Sequence, residues 1–103
     1  MAGTGDTSIR SYNFFLDTTI GGTGLYTDPL NEHDFIDQID GTNFLSNSIQ
    51  VILDGAADIW WSFDGVTDFG RVIAGQPITQ DFRRFKKIWF RGTAGTAFRF
   101  WAW

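Results

Sequence analysis

The chain has 103 residues, no cysteine and a net charge of −4. This length suits one domain with a real core and is too short for two, and the lack of cysteine excludes a disulfide or a thiolate metal site. Aromatic residues make up 17% of the chain, and no stretch has a sustained apolar period of 3.6 residues, so the sequence predicts an all-β fold.

The beginning of the chain is small and polar, reading Met1-Ala-Gly-Thr-Gly-Asp6 with no apolar run behind it. We therefore expect no secretory signal and synthesis in a cytoplasm. No apolar stretch approaches the length that spans a bilayer, so we expect no membrane contact. Residues 1–8 are expected to form a flexible N-terminal arm, and residues 9–103 a single β domain.

Short alternating segments separated by turn signals follow from residue 9 onward. The predicted strands are Ile9 to Leu16, then residues 34–39, 48–54, 58–63, 69–74 and 78–91, with loops at 17–24 and at Asp28-Pro29. The last of these strands should contain a bulge or corner near Arg83 and Arg84, because the spacing of its phenylalanines breaks period two. With the chain end included, the sequence predicts an antiparallel β-sandwich of jelly-roll type with seven or eight short strands; a small β-barrel is the alternative.

Two neighbouring pairs of segments read as hairpins. Residues 48–54 and 58–63 alternate around Gly55-Ala-Ala57, and a register with Val51 opposite Trp61 makes every apolar pair agree. Residues 86–103 form a second candidate, with the Gly-containing loop 92–97 as its turn.

The terminal hairpin has two differently composed faces. The face predicted to be core holds Ile88, Phe90, Phe98 and Phe100; the face predicted to be partly exposed holds Trp89, Arg91, Arg99, Trp101 and Trp103. Pairing Phe90 with Phe98 is favoured over pairing it with Phe100, because the latter register places Arg91 opposite Arg99. The favoured register makes cation–π pairs of Trp89 with Arg99 and of Lys87 with Trp101.

Charge is unevenly distributed along the chain. Residues 1–69 hold eleven acids and one base, whereas residues 70–103 hold one acid and seven bases. We expect this asymmetry to be neutralised inside the domain, with complementary outer surfaces for assembly as the alternative.

The sequence has few candidates for catalysis or metal binding. His33 is the only histidine and no cysteine accompanies it, so no catalytic triad is indicated. Asp54 and Asp58 would face each other at the tip of the first hairpin and are weak candidates for a cation, although solvation or a neighbouring arginine is favoured over a cation. We expect no catalytic residue, no resident metal and no cofactor.

The basic residues near the end of the chain lie among aromatic ones, as in many nucleic-acid surfaces. The acidic balance of the whole chain and the lack of a ribonucleoprotein-type motif argue against a nucleic-acid partner. The exposed indoles could alternatively stack on sugar rings, with Trp60, Trp89, Trp101 and Trp103 as candidates.

Residues 48–103 contain a characteristic series of short motifs: Trp61-Ser-Phe-Asp-Gly65, Gly75, Gln80-Asp-Phe-Arg-Arg84, Ile88-Trp-Phe-Arg-Gly92 and Phe100-Trp-Ala-Trp103. This series resembles small virion proteins of tailed bacteriophages and prophages. The resemblance implies a non-enzymatic structural role in the virion, as a capsid decoration (cement) protein or a tail-associated component. It also implies synthesis in the host bacterial cytoplasm, assembly as a homo-oligomer, and contact with the major capsid or tail protein.

Such a role places the contact residues on the arm and on the aromatic and basic strand surfaces. The candidate interface residues are Thr4, Asp6, Ile9, Arg84, Lys87, Trp89, Trp101 and Trp103. The alternative function is a carbohydrate-binding or host-recognition module on a phage tail.

Overall fold

The computed structural model describes residues 14–103, apart from the side chains at positions 82 and 83. These residues form eight strands: β1 Phe14–Thr19, β2 Glu32–Asp34, β3 Ser46–Leu53, β4 Ile59–Ser62, β5 Gly70–Val72, β6 Ile78–Phe85, β7 Lys87–Gly92 and β8 Ala97–Ala102. Helical structure within this part is limited to one 3-10 turn, Pro29–Asn31, which Asp28 caps by accepting a hydrogen bond from the Leu30 amide.

The strands divide into two antiparallel sheets of four. Sheet I has the order β1-β8-β3-β6, and sheet II has the order β2-β7-β4-β5. Of the strands described, only β4 and β5 are both consecutive in the chain and paired with each other. The apolar faces of the two sheets pack together, so the predicted all-β sandwich is confirmed.

The core lies between the sheets and is rich in phenylalanine. Ile88, Phe90, Phe98 and Phe100 are all completely buried, which confirms the inward face predicted for the terminal segments. The ring centroids of Phe90 and Phe98 are 4.6 Å apart, and those of Phe98 and Phe100 are 6.1 Å apart. Aromatic side chains from both sheets therefore fill the interior by direct ring contact.

The predicted hairpin of residues 48–54 and 58–63 is wrong. Strand β3 pairs with β6 and β8 in sheet I, whereas β4 pairs with β5 and β7 in sheet II. Val51 and Trp61 are both buried, but on opposite sides of the core. The chain after Leu53 crosses to the other sheet. The apolar faces of β3 and β4 are then buried against each other across the core, so the apolar pattern alone does not distinguish this arrangement from a hairpin.

The predicted terminal hairpin is also wrong, in both of its registers. Strand β7 belongs to sheet II and β8 to sheet I, so the loop between them joins two layers. Trp89 is opposite Glu32 and Ser62, and it has no cross-strand contact with Arg99. The strand alternation was correctly predicted, but the strand partners were not.

The predicted break in residues 78–91 is confirmed. The register of β6 against β3 shifts between Asp81 and Phe85, so β6 carries extra residues at this point. One residue later, at Lys86, the chain leaves sheet I and enters sheet II.

The first predicted strand, Ile9 to Leu16, is observed from Phe14 onward. Strand β1 extends to Thr19, which shortens the predicted loop of residues 17–24. The predicted arm of residues 1–8, with Thr4 and Asp6, lies outside the described residues, as does Ile9.

Candidate interaction surfaces

Opposite charges from the two parts of the chain meet across the surface. Each ion pair recorded among residues 14–103 joins an acid from the first 69 residues to a base from the rest: Asp58 with Arg71, Glu32 and Asp34 with Lys87, Asp68 with Arg91, and Asp54 with Arg99. The expected internal neutralisation is therefore observed for these bases.

The outer face of sheet II is organised around Arg91. Its Nε and Nη2 donate to the two carboxylate oxygens of Asp68 at 2.9 and 2.6 Å, and the Tyr26 hydroxyl donates to Asp68 at 2.5 Å. The guanidinium carbon lies 4.2 Å from the ring centroid of Trp60, its cross-strand neighbour. The hydrogen bonds from Arg91 and Tyr26 lower the pKa of Asp68 to about 2. This network fastens two loops onto sheet II.

Lys87 and Trp89 lie on the same face of β7, beside β2. The Lys87 ammonium donates a hydrogen bond to Glu32 and lies 3.4 Å from Asp34, and the hydrogen bond to Glu32 raises the pKa of Lys87. The Lys87 ammonium also lies 5.6 Å from the Trp89 ring centroid. Gly65 packs on the same indole, since a Cβ at Gly65 would lie 3.1 Å from its ring. Both predicted contact residues are therefore engaged inside the molecule.

The outer face of sheet I presents a second aromatic group. Phe15 and Trp101 are cross-strand neighbours with ring centroids 4.9 Å apart. Arg99 lies 5.9 Å from the Trp101 ring centroid and donates to both carboxylate oxygens of Asp54. Asp54, the weak cation candidate, therefore pairs with an arginine, which is one of the two arrangements that the sequence favoured over a cation.

Trp103 extends the pairing of β8 with β3. Its carbonyl oxygen accepts hydrogen bonds from the amides of Asn47 and Ser48 at 2.8 and 3.0 Å, and from the Ser46 hydroxyl at 3.1 Å. Its own amide donates to the Ser48 carbonyl at 3.1 Å. The backbone of Trp103 is therefore fixed, and its side chain is half-buried.

The structure divides the predicted aromatic and basic surface into two. Lys87 and Trp89 lie on the outer face of sheet II, whereas Trp101 lies on the outer face of sheet I. The prediction of one shared face is wrong, because it depended on a hairpin between β7 and β8. A partner that touches one of these faces cannot touch the other without wrapping around the sandwich.

Arg84 lies in a third place, at one end of the sandwich. It lines an open groove of about 660 Å³ together with Asn43, Phe44, Leu45 and Lys86. Arg84 and Lys86 are exposed and take part in none of the ion pairs recorded between described residues. Sequence reasoning missed this groove, because its two sides come from distant parts of the chain, residues 43–45 and residues 84–86.

The remaining candidates for catalysis or metal binding, Asp58 and His33, do not form a common site. Asp58 faces Arg71 at 3.8 Å. The ring of His33 points into the core, with its centroid 5.5 Å from that of Phe100. Among residues 14–103, no three histidine or acidic side chains are grouped closely enough to hold a metal ion, and no helix is long and apolar enough to cross a membrane.

Comparisons of the chain with protein-family models, with curated proteins and with solved structures find no match.

Proposed function

We propose that this chain is a non-enzymatic structural protein of a phage virion, a capsid decoration (cement) protein that stabilises the shell through protein–protein contacts. The observation that carries the proposal is the order of the strands. The orders β1-β8-β3-β6 and β2-β7-β4-β5 support an eight-stranded jelly roll, since every connection except the one between β4 and β5 takes the chain to the opposite sheet. Jelly rolls are a recurrent architecture of viral shell domains.

The character of the outer faces agrees with a bracing role. Arg91, Lys87 and Arg99 are each held by a carboxylate and an aromatic ring, so these side chains are positioned, and their charges paired, before a partner binds. A rigid surface loses little conformational entropy on binding, which favours stable docking on a shell. The partners in this proposal are the major capsid or tail protein and further copies of the chain itself.

The second candidate function is a carbohydrate-binding or host-recognition module on a tail, because jelly rolls also occur in lectins. The ring pair of Phe15 and Trp101 on the outer face of sheet I favours it. Against it, one face of Trp60 is covered by Arg91, and Gly65 packs on Trp89. A sugar ring needs an open indole face, so the sheet II indoles are poor platforms.

The test is to purify tailed-phage particles from a host culture whose phage or prophage genome encodes the chain, and to separate their heads from their tails. Quantitative mass spectrometry then measures the amount of the chain in each fraction. We expect a fixed number of copies per head, in a simple ratio to the number of major capsid protein subunits. The chain's absence from the particles would overturn the proposal.

A glycan array and a titration of tryptophan fluorescence test the second candidate. The array is expected to be blank. A saturable, sugar-dependent quench that Trp101→Ala removes and Trp60→Ala does not would favour the second function.

A further inference from the structure

One hairpin joins an acidic, apolar tip to a basic, apolar groove. Residues 35–44 form this hairpin: the Phe44 amide donates to the Phe35 carbonyl at 3.0 Å, Ile36 bridges to Asn43, and the Asp37 amide donates to the Thr42 carbonyl at 2.8 Å. Its tip, residues 37–42, lies at one end. The groove lined by Asn43, Phe44, Leu45, Arg84 and Lys86, named here the basic groove, lies at the other.

The tip combines an apolar and an acidic side chain in a fixed geometry. Ile39 is 79% exposed, although it is a large apolar residue. The Oδ1 atom of Asp40 accepts hydrogen bonds from the amide and the hydroxyl of Thr42 at 2.9 and 2.7 Å, which leaves its second oxygen without a hydrogen bond among the described residues. A carboxylate held beside an exposed isoleucine is well placed to meet a cation on a partner.

The basic groove has the complementary composition. Leu45 is 39% exposed and Phe44 is half-buried, so the groove offers apolar surface to a partner. Arg84 and Lys86 carry the bases that no described acid neutralises, unlike the four paired bases of residues 70–103. An acidic, apolar segment therefore fits this groove in both charge and polarity.

The hairpin is held against the body of the sandwich before any partner binds. The side chain of Gln38 accepts from the Phe15 amide at 3.1 Å and donates to the Phe15 carbonyl at 2.8 Å, as a neighbouring strand would. This clamp also occupies part of the free edge of β1. The tip and the groove are thus displayed with a fixed spacing, which reduces the entropy lost on association.

We propose that the tip of one copy docks in the basic groove of a second copy, with Ile39 against Leu45 and Asp40 against Arg84 and Lys86. Because each copy carries both a tip and a groove, two copies related by a two-fold axis make the contact twice, as a self-complementary interface requires. This contact specifies the homo-oligomer of the proposed function, but it depends only on the tip and the basic groove and not on the virion.

The test uses two charge-reversal variants of the whole chain, Asp40→Lys at the tip and Arg84→Glu/Lys86→Glu at the groove. Sedimentation velocity and native mass spectrometry of the wild type should show a dimer. Each variant alone should be monomeric, with the dissociation constant raised at least about tenfold by like charges. An equimolar mixture of the two variants should restore a dimer, because both of its contacts pair opposite charges.

Further variants keep the test decisive. Ile39→Lys changes the tip but keeps the hydrogen bonds that Asp40 accepts from Thr42. This variant is used in place of Asp40→Lys if circular dichroism shows that Asp40→Lys is unfolded. Arg71→Glu, on the other sheet, is the matched control and should dimerise as the wild type does. A monomeric wild type, unchanged dimers in both variants, or a mixture that stays monomeric would each overturn the contact. A monomer that still binds phage heads would overturn this contact alone, whereas a dimer absent from phage particles would overturn only the virion assignment.

Discussion

Phe90 of β7 and Phe100 of β8 lie in different sheets, and their ring centroids are 5.0 Å apart across the core. Both residues are completely buried. The predicted terminal hairpin would have paired Phe90 with Phe98 along one sheet; instead, Phe90 contacts both Phe98 and Phe100 between the two layers.

The first prediction concerns this contact. Phe90→Ala or Phe100→Ala should each lower the free energy of unfolding by about 3–5 kcal/mol, because a fully buried ring is lost and a cavity remains. Phe69→Ala is the matched control and should cost far less, since Phe69 is 49% exposed. Urea denaturation measures all three; equal losses at positions 69 and 100 would contradict the assigned core.

The second prediction concerns the pairing of Asp68 with Arg91. Asp68→Asn should cost about 0.5–1 kcal/mol near neutral pH, a value limited by solvent screening of a partly exposed pair. The pKa of Asp68 is lower in the folded protein than in the unfolded chain, so its contribution is complete above the unfolded pKa of about 3.9 and is lost as the pH falls toward about 2.

Melting temperatures of the wild type and Asp68→Asn should therefore converge at the acidic end of a pH series. Asp58→Asn provides the control, because the Asp58–Arg71 separation of 3.8 Å is long. A constant difference at every pH would show that the charge of Asp68 is not what stabilises the network.

The third prediction isolates the packing of Gly65 against Trp89. Gly65 and Gly75 have nearly equal positive φ angles, 78° and 80°, so alanine is strained to a similar degree at both positions. Only at Gly65 would the new methyl group press on an indole, whereas nothing lies within 4 Å at Gly75. Gly65→Ala should be the more destabilising change, by about 1 kcal/mol or more, and should alter Trp89 fluorescence; equal costs would mean that this contact is loose.

The fourth prediction is a pH dependence that arises from His33. Its Nε2 atom is buried and has no hydrogen-bond partner within residues 14–103, and burial lowers the pKa of the ring despite the opposing charges of Asp34 and Glu32. Because the unfolded chain binds a proton more readily, stability should fall as the pH drops through the unfolded pKa of about 6.5 and continue to fall toward the folded value. The slope from this one group cannot exceed about 1.4 kcal/mol per pH unit.

His33→Phe should remove this component, since phenylalanine suits the contacts with Phe90 and Phe100 and does not titrate. Chemical denaturation of both proteins from about pH 8 to pH 5 measures it, before most carboxylates titrate. Parallel pH profiles would refute the role assigned to His33.

The pattern of the sequence determined the class of fold and the identity of the core. Alternation in 86–91 and 98–103 correctly predicted that Ile88, Phe90, Phe98 and Phe100 point inward, because side-chain direction in a strand is a local property with period two. The break near Arg84 was visible for the same reason, as a departure from that period. The pairing of acids with bases from the two parts of the chain could also be expected from composition.

Only the tertiary structure decided which strands are neighbours. A glycine-containing loop such as residues 92–97 can end a hairpin or cross between two layers, and burial of the Phe90 face is satisfied by either arrangement. The choice depends on the other strands, since β8 gains two partners, β1 and β3, by joining sheet I. For the same reason the sequence could not show that Trp89 and Trp101 lie on opposite faces of the sandwich. Nor could it show that Arg84 and Leu45 line one groove, because these two residues are about forty positions apart and the chain between them contains no local signal of their contact.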